Sequence, residues 1–402
     1  MRKKCKPILT ISFYNGLSGK SKDDFGQGSD RFITYMNVYK NTIANPDGCE
    51  LVLVENGEHQ NRVEYGDILF TQSSETLEEV GLSSVWLHKA SPFLNSFCFG
   101  FHFKEKGIIN PRFIAYGLRT SYMREQIIRE GQGATRYNLS SNRLKPIKLV
   151  YPSYQEQSKV ASLMSCIEKR IEKQQELICT LKKYKRGLSD SLFAHISQSS
   201  GCKIVKLGDA FDLLQNNTFS REDLTSELST VQNIHYGDVL IKYGAIVNIA
   251  EDKPPYIKPD IELKKYSSAS YLCDGDIVFA DTAEDYTVGK ATEIAGANGL
   301  SVLSGLHTIP CRPLIKFQPM YLGYYFNSSL FRTQIYPLIQ GTKVSSISKG
   351  ELIKANVYVP TLEEQKKIAL LLYSMDCRIT KEERKSSDLI TARKALLQQL
   401  FI

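Results

Sequence analysis

The chain has 402 residues, room for two or three domains, and no run of 18 or more apolar residues that would predict a membrane span. Its apolar content of 42% and charged content of 23% match an ordinary soluble globular protein. A formal charge of +8 hints at a polyanionic partner, and nine scattered cysteines without a Cys-x-x-Cys pair fit reduced thiols in a cytoplasm, not a disulfide frame or a zinc site.

In chain order, the basic start from Met1 to Pro7 leads into an apolar run that stops at Phe13-Tyr14, too short and polar for a secretory signal. Strands are expected at Phe32 to Val38, Ile68 to Phe70, Val239 to Ile241 and Ile277 to Phe279, separated by Gly, Asn and Asp turns. A helix is expected from Pro111 to Arg129, with Phe113, Ile114, Leu118, Tyr122, Ile127 and Ile128 on one side, and another from Pro319 to Leu338. Pro152 and Pro360 end strand-like runs, because proline donates no ladder bond. After the first, Val160, Met164, Ile167, Ile171, Gln174, Ile178, Leu181, Lys185, Leu188 and Leu192 recur at alternating steps of four and three. After the second come Ile368, Leu372, Met375, Ile379, Leu389, Leu396 and Leu400, with a polar centre around Glu382 to Ser386. Each stripe is too narrow to be buried alone and needs a helical partner. A homodimeric coiled coil would supply one; so would pairing of the two helices within one chain.

The chain repeats itself. Residues 132–193 align with 340–401 at a constant shift of 208, and 17 of the 62 positions are identical. The matches include Gln132-Gly133 with Gln340-Gly341, Pro152 with Pro360, Glu156-Gln157 with Glu364-Gln365, and Leu192-Phe193 with Leu400-Phe401. Upstream, "YGDILF" (Tyr65 to Phe70) answers "DGDIVF" (Asp274 to Phe279), and Lys22-Asp-Asp-Phe25 weakly answers Arg221-Glu-Asp-Leu224. The whole is a domain duplication, each copy a mixed α+β segment followed by a long helix.

Several fragments imitate catalytic motifs. "NGLSGKS" (Asn15 to Ser21) resembles a phosphate-cradling loop, but its Gly16-to-Gly19 spacing is two residues short. "DKPPY" (Asp252 to Tyr256) resembles the Asp/Asn-Pro-Pro-Tyr loop of adenine methyltransferases, yet Lys253 breaks the spacing and a rigid turn is the better reading. Gly66-Asp67 and Gly275-Asp276 suit a tight turn before a core strand better than a metal site. The six histidines are too dispersed to assemble a triad or a metal cluster. A non-enzyme is expected. The basic and aromatic residues suit DNA, with Lys and Arg on phosphates and Arg, Asn and Gln on base edges. The candidate contacts are Lys20, Lys22, Arg119, Arg136, Tyr137, Lys242, Tyr243 and Lys343.

At the repeated elements the sequence resembles the specificity subunit of type I restriction–modification systems. The residues that carry the likeness are "QGATRYNLSSNRLKPIKLVYPSYQEQ" (Gln132 to Gln157), "QGTKVSSISKGELIKANVYVPTLEEQ" (Gln340 to Gln365) and "KLGDAFDLL" (Lys206 to Leu214). One departure is that Pro7-Ile8-Leu9-Thr10 stands where the first domain would open with Lys-Leu-Gly-Asp. The resemblance implies two similar target-recognition domains at 1–150 and 199–358, and two antiparallel coiled-coil spacer helices at 151–198 and 359–402 related by an approximate two-fold repeat. It implies a non-catalytic subunit that reads a bipartite, asymmetric site on double-stranded DNA. Two methyltransferase subunits would dock on the spacer helices, with Ile167, Ile171, Leu181, Met375, Ile379 and Leu389 as the expected positions, and motor–nuclease subunits would join them. S-adenosylmethionine, ATP and Mg would belong to those partners. The alternatives are the recognition subunit of another methylase or nuclease system, or a coiled-coil scaffold that does not touch DNA.

Overall fold

The computed structural model describes residues 4–7, 11–103, 107–341 and 343–401. The chain divides into two compact lobes, Met1–Gln175 with Arg384–Ile402, and Glu176–Glu383. Each lobe is therefore built from one mixed segment and parts of both long helices.

The first lobe is built on an antiparallel sheet in the order Ile11–Asn15, Cys98–Phe103, Ile68–Thr71, Ser83–Val85. Its inward residues Phe70, Phe99 and Phe101 stack on one another and meet Phe113, Ile114 and Ile127 of two short helices. Those helices, Pro111–Gly117 and Ser121–Arg129, occupy the stretch expected as one. The break comes at Thr120, whose hydroxyl accepts from the Met123 N–H and starts a second helix. The second expected helix divides in the same way, into Tyr321–Phe326 and Ser329–Ile335, with Ser328 as the cap.

The second lobe repeats the sheet as Phe211–Leu213, Thr308–Pro313, Ile277–Ala280, Ala291–Ala295, and adds a parallel strand at Ile246–Asn248. The strands expected at Ile68 and Ile277 form. Those expected at Phe32 to Val38 and Val239 to Ile241 do not. Strand Phe25–Ile33 stops at Thr34, which caps helix Tyr35–Lys40, and His235 likewise caps helix Tyr236–Ile241. The weak match between Lys22 and Arg221 is structural. Ser21 and Asp24 form a capping box around one turn of 3-10 helix, and Ser220 and Asp223 form the same box.

The first lobe keeps its opening strand. Lys4–Pro7 pairs antiparallel with Lys148–Tyr151, as Lys203–Lys206 pairs with Asn356–Val359. The altered residues 8–10 lie outside the described residues.

Tyr154–Gln198 and Leu362–Leu400 are single unbroken helices of 45 and 39 residues. In the second lobe they run antiparallel, with Lys182 on Glu383 at 2.7 Å and Lys185 on Asp376, over an apolar seam of Leu181, Leu188, Met375 and Ile379. In the first lobe Arg393 of the second helix reaches Glu168 of the first at 3.8 Å. The partner each stripe lacks is therefore supplied within the chain.

Candidate nucleic-acid interface

The repeated Pro-x-x-x-Glu-Gln is a joint between sheet and helix. Ser153 caps the first long helix, and the Glu156 carboxylate accepts from the Ser153 N–H (3.1 Å) and hydroxyl (2.9 Å). Thr361 and Glu364 make the same pair of bonds at 2.9 and 2.7 Å. Gln157 is buried; its amide accepts from the Asn110 N–H at 2.8 Å and donates to the Ile108 and Pro152 carbonyls, both at 3.0 Å. Gln365 accepts from the Gln318 N–H and donates to the Pro360 carbonyl, both at 2.9 Å. These residues fix each helix to its lobe and do not face a ligand.

The repeated Gln-Gly opens an exposed hairpin. Gln132 and Asn138 exchange backbone bonds at 2.9 and 2.7 Å, and so do Gln340 and Ser346 at 2.9 and 2.8 Å. Gly133 and Gly341 sit at φ +134° and +111°, and a Cβ on either would lie 2.0 Å from a carbonyl across the hairpin. The arms pair with the main sheets' continuations, Tyr137–Asn138 with Ser73–Ser74 and Ser345–Ser346 with Thr282–Ala283. Arg136, Lys343 and Val344 stand exposed at the tips.

Beside the first hairpin lies a cleft of about 410 Å³ lined by Tyr35, Met36, Tyr39, Ser73, Ser74, Glu75, Glu79, Phe97 and Arg136. Tyr35 and Tyr39 stack at 6.0 Å, and the Tyr35 hydroxyl donates to the Ser73 carbonyl at 2.6 Å. Tyr39 donates to Glu79, which holds that carboxyl below its ordinary range. At the matching place in the second lobe, Tyr236 meets His307 edge-on at 5.3 Å, and His307 lies 3.4 Å from Asp281. This lobe has a further cleft of about 610 Å³, lined in part by Arg221, Asp238, Lys242, Lys253, Pro254 and Pro255.

Of the candidate contacts, Lys22, Arg136, Lys242 and Lys343 are exposed. Tyr137 is half-buried against the first core. Three are corrected. Lys20 is buried in an ion pair with Glu58. The Arg119 guanidinium donates to the Ser83, Val38, Tyr39 and Asn41 carbonyls, and burial lowers its pKa to about 10. Tyr243 is 4% exposed within the second lobe's core. Leu181, Met375 and Ile379 are buried in the apolar seam, Ile171 is buried and Ile167 and Leu389 are half-buried, so these six do not make an outward docking face. Glu75, Phe97 and Met36 were missed, and the strand expected through Val38 hid the helix that carries Met36.

The imitated motifs are structural. Ser18 is stapled to Gln60 by two bonds of 3.1 and 2.9 Å, and Asp252 accepts from the Asn248 N–H at 2.8 Å. Buried Asp67 accepts from Tyr14 at 2.7 Å and from the N–H of Glu64 in its own turn, also at 2.7 Å, and pairs with His102. Asp276 does the same with the Cys273 N–H and Arg312. Among the described residues no three His, Cys, Asp or Glu side chains are grouped to hold a metal, and no helix is long and apolar enough to cross a membrane.

The chain matches the family model of the type I restriction modification DNA specificity domain over residues 26–182 and 199–390. It is similar to the putative type I restriction enzyme MjaX specificity subunit of Methanocaldococcus jannaschii, at 22% identity over 411 residues covering 98% of this chain and 91% of that protein. The crystal structure of the type I restriction–modification S subunit from M. genitalium shares its fold, with TM-score 0.53 and 14% identity over 100% of this chain and 96% of that one. So does a chain from structural work on complex assembly and conformational transition of the type I R-M system, with TM-score 0.62 and 13% identity over 99% and 97%. With two specificity domains matched across most of its length, each on a lobe of the same architecture, this chain belongs to the specificity subunits of type I restriction–modification systems.

Proposed function

We propose that each lobe reads one half of a bipartite, asymmetric DNA site, and that the two long helices set the unread gap between the halves. The observation that carries this reading is the recurrence in both lobes of one exposed hairpin, built on the same Gln-Gly and flanked by a short helix that begins on a tyrosine. The divergence of the hairpin tips, Arg136 against Val344, supports two different half-sites. The outer faces of the helices, where Leu163, Tyr184, Leu370 and Tyr373 are exposed, suit two methyltransferase subunits, to which motor–nuclease subunits would add. Those partners would bring S-adenosylmethionine, ATP and Mg and perform the chemistry, in the cytoplasm, while this chain supplies recognition alone.

Binding of duplex DNA by the chain, co-purified with its methyltransferase partner, tests this. Affinity is expected to fall with salt at a logarithmic slope of about 0.9 per phosphate contacted. A flat salt dependence would argue for a scaffold that leaves DNA untouched. Excising one heptad from each long helix is expected to change the gap and leave both half-sites intact.

A further inference from the structure

We propose that the paired hairpin tips form a two-residue base-pair reader in each lobe. Arg136 with Glu75 would read a G·C pair in one half-site, and Val344 with Glu284 an A·T pair in the other. This rests on DNA reading by both lobes.

The residues are placed by register. In the first lobe the ladder ends at Tyr137 opposite Ser74, and the next residues outward on the two arms are Arg136 and Glu75. In the second it ends at Ser345 opposite Ala283, and the next residues outward on the two arms are Val344 and Glu284. Each lobe therefore carries a glutamate just past the ladder on one arm, and only the residue at the matching place on the other arm differs. Arg136 and Glu75 both line the 410 Å³ cleft, next to the exposed Phe97 and Met36. Neither side chain has a hydrogen bond or salt bridge among the described residues. Glu79, the other carboxylate there, is already occupied by Tyr39 and Ser74.

The chemistry follows from what base edges offer in the major groove. Guanine presents two acceptors, which suit the guanidinium fork, and its cytosine presents an amino donor, which suits a carboxylate. An ionised glutamate has no proton to give, so it selects against the O6 of guanine and the O4 of thymine at its own position. A carboxylate lining the same cleft repels phosphate, which favours a base edge over the backbone as the partner of Arg136. With valine in place of arginine the fork is lost and an apolar contact remains. Glu284 then accepts from the amino group of adenine, and Val344 meets the methyl of thymine.

The test is selection from a randomised duplex pool by the chain co-purified with its methyltransferase partner, for the parent, Arg136→Val and Val344→Arg. All four side chains are exposed, so the variants are expected to unfold at the parental temperature. Arg136→Val is expected to convert one position of one half-site from G·C to T·A, with a preference change of about tenfold. Val344→Arg is expected to make the reverse conversion in the other half-site. If both variants select the parental motif, or lose affinity evenly for all sequences, the reader is overturned and DNA reading stands. If the parent selects no motif, DNA reading falls and the reader with it.

Discussion

Glu293 shows how a single buried group ties stability to pH. Its carboxylate accepts from the Met320 N–H at 2.6 Å and the Gly323 N–H at 2.8 Å, at the opening of helix Tyr321–Phe326. Those bonds favour the charged form, but burial outweighs them and pushes its pKa up to about 7. The folded chain then keeps a proton between about pH 4.5 and 7 that the unfolded chain releases, so this group's contribution is present below that window and lost as pH rises through it. The loss is roughly 3 kcal/mol. Glu293→Gln is expected to gain on the parent in thermal midpoint as pH rises from 5 to 8, and a constant difference would refute this. The arginines show what a sequence hides at this scale. Arg124 donates to the Gly81, Glu78 and Val80 carbonyls, and Arg332, one repeat later, to those of Val288 and Tyr286. Sequence alone does not set them apart from DNA contacts, because a guanidinium that staples a turn has the same letter as one that faces a phosphate. Only the surrounding carbonyls separate Arg119 from Arg136.

At the scale of elements, the long helices were legible because a heptad stripe is a property of spacing alone. Every position of the first stripe, Val160 to Leu192, is at least half-buried. The polar interruption at Lys185 is answered by Asp376, with Tyr324 donating to the same carboxylate at 2.8 Å. The short helices were not legible, because caps at Thr34, Thr120, His235 and Ser328 override runs that otherwise read as strand or as one helix. The Glu-Gln pair was visible as a repeat but not as a joint, since its bonds reach residues some 47 positions upstream. Gln365→Met keeps the volume and strands the Gln318 N–H and Pro360 carbonyl. It is expected to cost the second lobe about 2–4 kcal/mol, measured as a shift in its urea transition. An unchanged transition would show that the joint is not held by this amide.

At the scale of the whole molecule, the duplication is cyclic. Tyr116 donates to Glu168, which Arg393 reaches in the first lobe; Tyr324 donates to Asp376, which Lys185 reaches in the second. All three positions differ by 208. Phe401 stacks on Phe113 at 4.7 Å, as Phe193 meets Tyr321 at 6.0 Å. Each lobe is thus completed by the tail of the other copy's helix. A fragment of residues 1–198 lacks Arg393 and Phe401 but carries Lys185 and Phe193 at the matching positions. It is expected to form a dimer in sedimentation analysis, and a folded monomer would contradict the cyclic scheme. The most direct test of the central claim is single-molecule methylation sequencing of DNA from cells expressing this chain with its methyltransferase. The expected result is one asymmetric motif in two specified parts across a fixed unspecified gap; a single contiguous or palindromic motif would contradict it.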